Sequence, residues 1–349
     1  MSELRQDPTT KEWVIIAPER AKRPQRVPKR KLADELPDWD QSCPFCPGNE
    51  NQTPPELFRF PLSNPASAWE VRVIPNRFAA LMLDRPDKYV TGGEESPFFR
   101  KRAGTGVHEV IIETPSHNMP PALMSHHQVK RVLVTYQERY NALKKNRRLK
   151  FITIFKNHGW ASGASLVHPH SQLVATPIPA TYYHQKSNVA INHYYNFGRC
   201  LYCDLLAEEL AKGKRIVGDT KEFVILHPYA SRVPYETWII PKRHYASFGL
   251  FPATHLDELA RVLKDTLLCL YRGLINPAFN LMVDTTTTED EESSNYHWHI
   301  RILPRLTTIA GFEMGSGIYI NPARPEDTTR FMKKTANSLA EQGECLSLK

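Results

Sequence analysis

Two sets of cysteine and histidine residues occur in the same order in the two halves of this 349-residue chain. Each set is a Cys-x-x-Cys pair followed by two histidines. The members are Cys43, Cys46, His117 and His168 in the first half, and Cys200, Cys203, His244 and His297 in the second. Two thiolates and two imidazoles suit a zinc ion, and four protein ligands leave no open coordination position. The repeated order predicts an internal duplication with two structural zinc sites.

The first set continues into the run His168-Pro169-His170-Ser171-Gln172. Residues two apart on an extended strand share a face, so a metal-bound His168 would fix His170 beside it. A neutral imidazole is a good nucleophile near pH 7 and can attack the α-phosphorus of a nucleotide diphosphate. Gln172 lies on the same face and can donate a hydrogen bond to the phosphoryl oxygens. We predict that His170 and Gln172 are catalytic.

The second set continues into a similar run, but this run lacks the glutamine of the first. His299 occupies the position of His170, but Arg301 stands in place of Gln172. We therefore predict no nucleophile in the second half. His299 is interpreted either as a buried strand residue or as a hydrogen-bonding group near the site. The alternative to a second zinc is a cluster that has lost its metal and remains as packing.

Composition indicates a globular protein that binds an anion. The net charge is +8 and the pI about 9.1, which suits a nucleotide, a phosphosugar or nucleic acid. The densest basic run, residues 22–31, has no interleaved aromatic residues, so a solvated loop is favoured over a nucleic-acid site. The polar first residues and the absence of a run of ~20 apolar residues predict a cytoplasmic protein without a membrane partner. In that compartment Cys-x-x-Cys pairs indicate metal ligands, with a thioredoxin-like motif as the alternative.

The elements around the motifs repeat as well. Helical spacing over residues 126–146 precedes an apolar strand at 151–155, and a helix over 254–275 precedes a strand at 279–283. Short strands with polar breaks surround each pair. We predict an α+β fold with two tandem halves, residues 1–180 and 181–349, mostly antiparallel sheets and one main helix in each half. Residues 177–199 are expected to be a linker.

The run from His168 to Gln172 resembles the active-site triplet of galactose-1-phosphate uridylyltransferases, a branch of the histidine-triad (HIT) superfamily. The resemblance covers nearly the whole chain, including residues 13–24, 76–78, 155–157 and 311–313. It implies two HIT-like halves, a homodimer, and zinc bound by the first set of ligands. It also implies exchange of UMP between UDP-glucose and galactose 1-phosphate through a uridylyl-histidine at His170.

The same resemblance implies a set of substrate contacts. Arg20 and Arg23 would reach the ligand from the neighbouring subunit. Asn76, Asn157 and Ser165 match nucleotide and phosphate contacts, and Phe312 and Glu313 match a sugar-binding segment. The full set of implied substrate-binding residues is Arg20, Arg23, Asn76, Arg77, Phe78, Asn157, Gly163, Ser165, Gly311, Phe312 and Glu313.

Two positions depart from the family pattern. Arg77 stands where many members have an acidic residue near the ribose, and Asp284 stands where longer members have a metal-binding histidine. The second metal set resembles a shorter branch that includes an ADP-glucose phosphorylase-like plant protein. Adenylyl transfer to phosphate by the same histidine is therefore the main alternative. A zinc-stabilised nucleic-acid-binding protein is a distant one.

Overall fold

The computed structural model describes residues 1–22, 35–61, 69–83, 98–99, 101–345 and 348. Arg23 and most of the basic run at 22–31 lie outside the described residues. The predictions that Arg23 contacts ligand and that the basic run is a solvated loop are therefore not addressed by the structure.

The centre of the molecule is a ten-stranded sheet to which both halves contribute five strands. Its pairings are all antiparallel, in the order β3-β4-β5-β7-β6-β11-β12-β10-β9-β8. The strands of the first half are β3 (Phe58–Phe60), β4 (Val71–Pro75), β5 (Val107–Ile112), β6 (Phe151–His158) and β7 (His170–Thr176). Those of the second are β8 (Ile216–Asp219), β9 (Phe223–Leu226), β10 (Thr237–Pro241), β11 (Phe279–Asp284) and β12 (His299–Pro304).

The strand order confirms the duplication. Read from either edge of the large sheet toward its centre, corresponding strands of the two halves follow one another in the same order. The halves join where β6 pairs with β11, with Phe279 opposite His158 and Val283 opposite Ile154. The two units therefore share one continuous sheet.

A second, three-stranded sheet connects the two ends of the chain. It comprises β1 (Glu3–Gln6), β2 (Trp13–Ile16) and β13 (Tyr319–Asn321). β2 pairs antiparallel with β1 and parallel with β13. Together with the large sheet, this confirms the predicted α+β class with mostly antiparallel pairing.

The predicted main helices are α1 (His126–Leu143) and α4 (Leu256–Gly273), which pack against each other. The Ser125 hydroxyl caps α1 by accepting a hydrogen bond from the Gln128 N–H at 3.1 Å. Further helices are α3 (Leu201–Lys212), α5 (Gly311–Ser316) and α6 (Pro325–Glu341). Among the described residues, no helix has the length and apolar character needed to span a bilayer.

The prediction of a linker over residues 177–199 was wrong, because Thr181–Phe197 forms helix α2. Its buried positions are Tyr183, Lys186 and Ala190, which lie on one face at helical spacing. A buried lysine interrupts the apolar pattern by which such a face is normally identified. The helix ends at Gly198, which has a φ of 68° and forms the left-handed cap.

Candidate functional site

The first cysteine–histidine set converges on one buried point. Its four ligand atoms all lie within 4.8 Å of one another. Cys46 Sγ lies 3.5 Å from His117 Nδ1 and 3.6 Å from His168 Nδ1, and Cys43 Sγ lies 3.7 Å from the same His168 nitrogen. A zinc ion with ordinary Zn–S and Zn–N bond lengths would give tetrahedral S···N edges of about 3.5 Å. The donor set and its spacing therefore fit zinc.

The surroundings of this cluster hold the ligands in place. His168 Nε2 lies 2.8 Å from the Thr114 carbonyl and donates to it, which leaves Nδ1 as the ligand atom. The Asp40 N–H donates to Cys46 Sγ at 3.3 Å. The Asn49 amide donates to the Cys43 carbonyl at 2.8 Å and so closes the cysteine loop on itself.

The second set also converges, at a more exposed position. Its four ligand atoms meet the same 4.8 Å limit, and Cys203 Sγ lies 3.4 Å from His244 Nδ1 and 3.5 Å from His297 Nδ1. His244 Nε2 donates to the Ser293 carbonyl at 3.0 Å. Here the cysteines lie at the start of α3, whereas Cys43 and Cys46 lie in irregular structure. Both groups have the ligands of a structural metal site.

Replacing Cys43 by serine is expected to remove metal from the first cluster and to destabilise the protein more than it changes the chemistry. Metal binding to such a set is coupled to folding, because the buried ligands have no other partner of equal strength. Metal analysis should show loss of one of two equivalents, and the midpoint of thermal unfolding should fall. His184→Ala, at an exposed position outside both clusters, is the control. Unchanged metal content and unfolding in Cys43→Ser would contradict a structural metal.

His170 begins β7, two residues after a predicted metal ligand, and its side chain retains 7% exposure. Its Nδ1 lies 2.9 Å from the His168 carbonyl and donates to it. This contact fixes the ring and leaves Nε2 unprotonated and available as a nucleophile. Burial, and to a lesser degree the Lys156 ammonium, lowers the pKa of His170. The ring is therefore neutral near pH 7.

A buried network of charged and polar side chains contacts the backbone of His170. Lys156 Nζ donates to Glu113 Oε2 at 2.7 Å and to the His170 carbonyl at 3.0 Å. Both charged side chains are almost completely buried. The other oxygen of Glu113 accepts hydrogen bonds from the hydroxyls of Ser171 and Tyr136. The network fixes the backbone of the His170–Ser171 segment from two sides.

Lys156 and Glu113 were not among the predicted site residues, although the sequence holds a signal for them. Lys156 follows Ile152 and Ile154 on the buried face of β6. An inward-facing lysine requires a carboxylate partner. Which carboxylate it meets depends on the pairing of distant strands and could not be predicted.

Gln172 shares the His170 face of β7 and contacts a residue that the sequence analysis did not select. Its Oε1 lies 2.8 Å from Nε2 of His108 on β5. Asn76 Nδ2 lies 3.1 Å from the same nitrogen. The structure thus brings two predicted site residues, Asn76 and Gln172, together around His108.

Asn157 is held by residues of the second half. The Asn280 amide donates to Asn157 Oδ1 at 2.7 Å and to the Ser162 carbonyl at 2.9 Å. Arg305 Nε in turn donates to Asn280 Oδ1 at 2.5 Å. Asn280 and Arg305 are further residues that the sequence analysis missed, because the β6–β11 pairing that brings them here joins the two halves.

The other predicted contacts lie at exposed or partly exposed positions. Gly163 (φ 87°) and Ser165 lie in the exposed loop before β7, with Gly163 near the Asn157 amide. Arg77 and Phe78 are exposed after β4. Gly311, Phe312 and Glu313 begin α5, where the Glu313 carboxylate accepts from the Ala310 N–H at 3.1 Å. Within the described part of the chain, no hydrogen bond or ion pair joins Arg20 or residues 311–313 to His170 or Gln172.

The second half repeats the backbone geometry of the first but surrounds its histidine with different side chains. His299 Nδ1 lies 3.1 Å from the His297 carbonyl, as His170 does from His168. Its Nε2, however, lies 3.3 Å from Asp284 Oδ2, and the ring stacks on Trp238 with centroids 4.6 Å apart. His299 is completely buried. Of the two interpretations of His299, the structure supports the buried strand residue.

Asp284 also pairs with two cations in this region. Lys186 Nζ lies 2.8 Å from its carboxylate, and Arg301 Nε contacts the same oxygen. Asp284 is not among the four residues of the second metal set. In the second half, the nitrogen that corresponds to His170 Nε2 therefore faces an internal ion network.

Known proteins of similar sequence and structure support this description of the fold. A family model described as galactose-1-phosphate uridyl transferase, N-terminal domain, matches residues 1–179. ADP-glucose phosphorylase of Arabidopsis thaliana is 34% identical over 337 residues, which cover 96% of this chain and 93% of that protein. Galactose-1-phosphate uridylyltransferase of Thermotoga maritima is 30% identical over 344 residues, covering 96% of this chain and 99% of that protein.

Solved structures of related proteins have the same fold. The crystal structure of the Arabidopsis thaliana ADP-glucose phosphorylase with bound ADP-glucose superimposes with a TM-score of 0.80 at 33% identity, covering 96% of this chain and 98% of that one. A uridylyltransferase structure at 24% identity has a TM-score of 0.74 and supports the fold alone. The fold and the two cysteine–histidine clusters thus define a duplicated α+β protein. The chain belongs to the galactose-1-phosphate uridyl transferase family.

Proposed function

We propose that the protein is a nucleotidyltransferase that exchanges UMP between UDP-glucose and galactose 1-phosphate through a uridylyl intermediate on His170. The observation that carries this proposal is the state of the His170 ring. Its Nδ1 donates to a backbone carbonyl, its Nε2 has no hydrogen-bond partner among the described residues, and His170 retains 7% exposure. A neutral imidazole held in this way is a nucleophile that needs no separate base.

In the first half-reaction, His170 Nε2 attacks the α-phosphorus of UDP-glucose. A P–N bond forms, the bond from that phosphorus to the bridging oxygen breaks, and glucose 1-phosphate leaves with the electron pair. Gln172 would donate to the phosphoryl oxygens as charge develops, and Asn76 and Asn157 would hold the nucleotide and its phosphates. The Lys156–Glu113 pair would keep the backbone at His170 in place.

In the second half-reaction, a phosphate oxygen of galactose 1-phosphate attacks the uridylyl phosphorus. The P–N bond breaks, UDP-galactose forms, and His170 returns to its neutral state. Both acceptor and leaving group are phosphates, so neither requires a general acid. The cluster beside His170 supplies four protein ligands, and zinc there would fix His168 and thereby the neighbouring nucleophile.

Adenylyl transfer is the second candidate, and a specific observation favours it. The Arabidopsis thaliana ADP-glucose phosphorylase is 34% identical to this chain and superimposes with a TM-score of 0.80. Arg77, in place of an acidic residue near the ribose, departs from many uridylyltransferases. The same histidine would then transfer AMP from ADP-glucose to phosphate. Galactose-1-phosphate uridylyltransferases from several organisms support the first candidate.

Several accompanying properties belong to this proposal. The halves would divide near residue 180, in keeping with five strands of the large sheet before that point and five after it. Zinc would occupy both clusters. The protein would act as a homodimer, in which Arg20 and Arg23 reach the partner's site and residues 311–313 contact the sugar. Its location would be cytoplasmic, in keeping with reduced Cys-x-x-Cys pairs used as metal ligands.

The test is the intact mass of the protein after brief, separate incubation with UDP-glucose and with ADP-glucose, without acceptor. The expected result is an increment of one uridylyl group, located on His170 by peptide mapping and removed by galactose 1-phosphate. An adenylyl increment from ADP-glucose alone would assign the second candidate. An increment from neither donor would overturn both.

A further inference from the structure

His108 lies between two side chains predicted to bind the transferred group. It is located on β5, which pairs with β7, and its ring contacts Gln172 on β7 and Asn76 after β4. Neither the sequence pattern nor the family resemblance selected it. The tautomer of this partly buried histidine determines whether its Nε2 donates to or accepts from a neighbouring amide.

The hydrogen bonds assign that tautomer. The Ala80 N–H points at His108 Nδ1 at 3.3 Å, so Nδ1 is the acceptor and Nε2 carries the proton. The Nε2–H then donates to Gln172 Oε1 at 2.8 Å. With its oxygen held in this way, the Gln172 amide presents its NH₂ group on the other side.

The Asn76 amide is likewise held by its oxygen, here through the backbone two residues further along the chain. Its Oδ1 accepts from the Phe78 N–H at 2.8 Å, so its NH₂ group is the end that lies 3.1 Å from His108 Nε2. Both are donors, so this is a close polar contact without a hydrogen bond. The NH₂ group of Asn76 consequently remains available to an anionic ligand.

We propose that His108 is a positioning residue for nucleotidyl transfer, acting by fixing the Gln172 amide with its NH₂ group toward the phosphoryl oxygens. The inference rests on the proposed function of His170 and Gln172. A free glutamine amide can turn over, and the reversed orientation would place a carbonyl oxygen against the anionic phosphoryl group. Fixing one orientation in advance removes that unfavourable population and the cost of reorganisation in the transition state.

The test measures the single-turnover rate of nucleotidyl-enzyme formation at saturating donor, with whichever nucleotide sugar labels the wild-type protein. His108→Leu removes the Nε2–H donor and replaces the imidazole with a side chain of similar size. His108→Gln is the matched rescue, because its side-chain NH₂ can replace Nε2–H as donor to Gln172. Both substitutions are also made in a Gln172→Ala background. Zinc content and thermal unfolding of every variant report its fold.

His108→Leu is expected to slow labelling by about tenfold or more while changing the donor concentration for half-maximal rate by less than about threefold. His108→Gln should recover most of the rate. In the Gln172→Ala background, His108→Leu should change the rate by less than about twofold, because the group through which it acts is gone. A purely structural role would not produce this dependence on Gln172.

Three outcomes would overturn the inference: His108→Leu labels at the wild-type rate, His108→Gln fails to recover a rate lost in folded His108→Leu, or the effect is equally large without Gln172. Failure of the proposed function itself is distinguishable, because the wild-type protein would then acquire no nucleotidyl group on His170 from either donor.

Discussion

Replacing His170 by alanine should lower turnover by at least about 10⁴-fold and abolish the nucleotidyl-enzyme adduct, while metal content and folding are retained. The imidazole is the only protein group that bonds to phosphorus in the proposed mechanism, and alanine leaves no atom to take that place. The loss should fall on kcat, since the proposed nucleotide and sugar contacts lie on other residues. Turnover is measured with the donor that labels the wild-type protein, and the adduct by intact mass.

The pseudo-equivalent histidine provides the matched control. His299 has the same backbone contact as His170, but its Nε2 faces Asp284 in a completely buried position. His299→Asn should therefore leave turnover per folded, metal-loaded molecule within about threefold of wild type. Robust turnover in His170→Ala, or an adduct that persists in it, would rule out His170 as the nucleophile.

The duplication and both cysteine–histidine clusters were predictable because each rests on a short motif repeated in order. Cys-x-x-Cys pairs and His-x-His runs are local, and their side-chain types restrict the ligand. The helices at residues 126 and 256 were predictable for a related reason: each buries an apolar stripe of regular helical spacing, which amphipathic periodicity shows directly.

The features that the sequence did not reveal depend on polar contacts between distant strands. His108 meets Gln172 only because β5 pairs with β7, and Lys156 meets Glu113 across the same region. Strand register is set by the whole sheet, so the partner of an inward-facing polar residue is not a local property. Helix α2 escaped prediction for a similar reason, because its buried Lys186 is compensated by a carboxylate of β11.

That carboxylate, Asp284, marks the strongest physical difference between the halves. Burial alone would raise its pKa, but Arg301 and Lys186 hold the pKa well below its usual range. The two cations are themselves almost completely buried. Asp284 thus contacts His299 Nε2, the atom of the second half that corresponds to His170 Nε2.

Asp284→Ala is consequently expected to lower the free energy of unfolding by about 3–5 kcal/mol, because it leaves two cations buried without their counter-ion. Burial lowers the pKa of Lys186 to about 8 even with Asp284 present, so that lysine can lose its proton in the variant. Arg301 cannot, and it therefore carries most of the penalty. Denaturant unfolding of the metal-loaded protein measures the change.

Asp327→Ala is the matched control, because Asp327 is 52% exposed and pairs with an exposed arginine within one helix. Its loss should cost less than about 1 kcal/mol. A cost for Asp284→Ala as small as that of the control would mean that the ion network does not stabilise the second half. A large cost, accompanied by unchanged adduct formation in the protein that remains folded, would support different roles for the two halves. In that case His170 carries out the chemistry, and the ion network of Asp284 around His299 stabilises the fold.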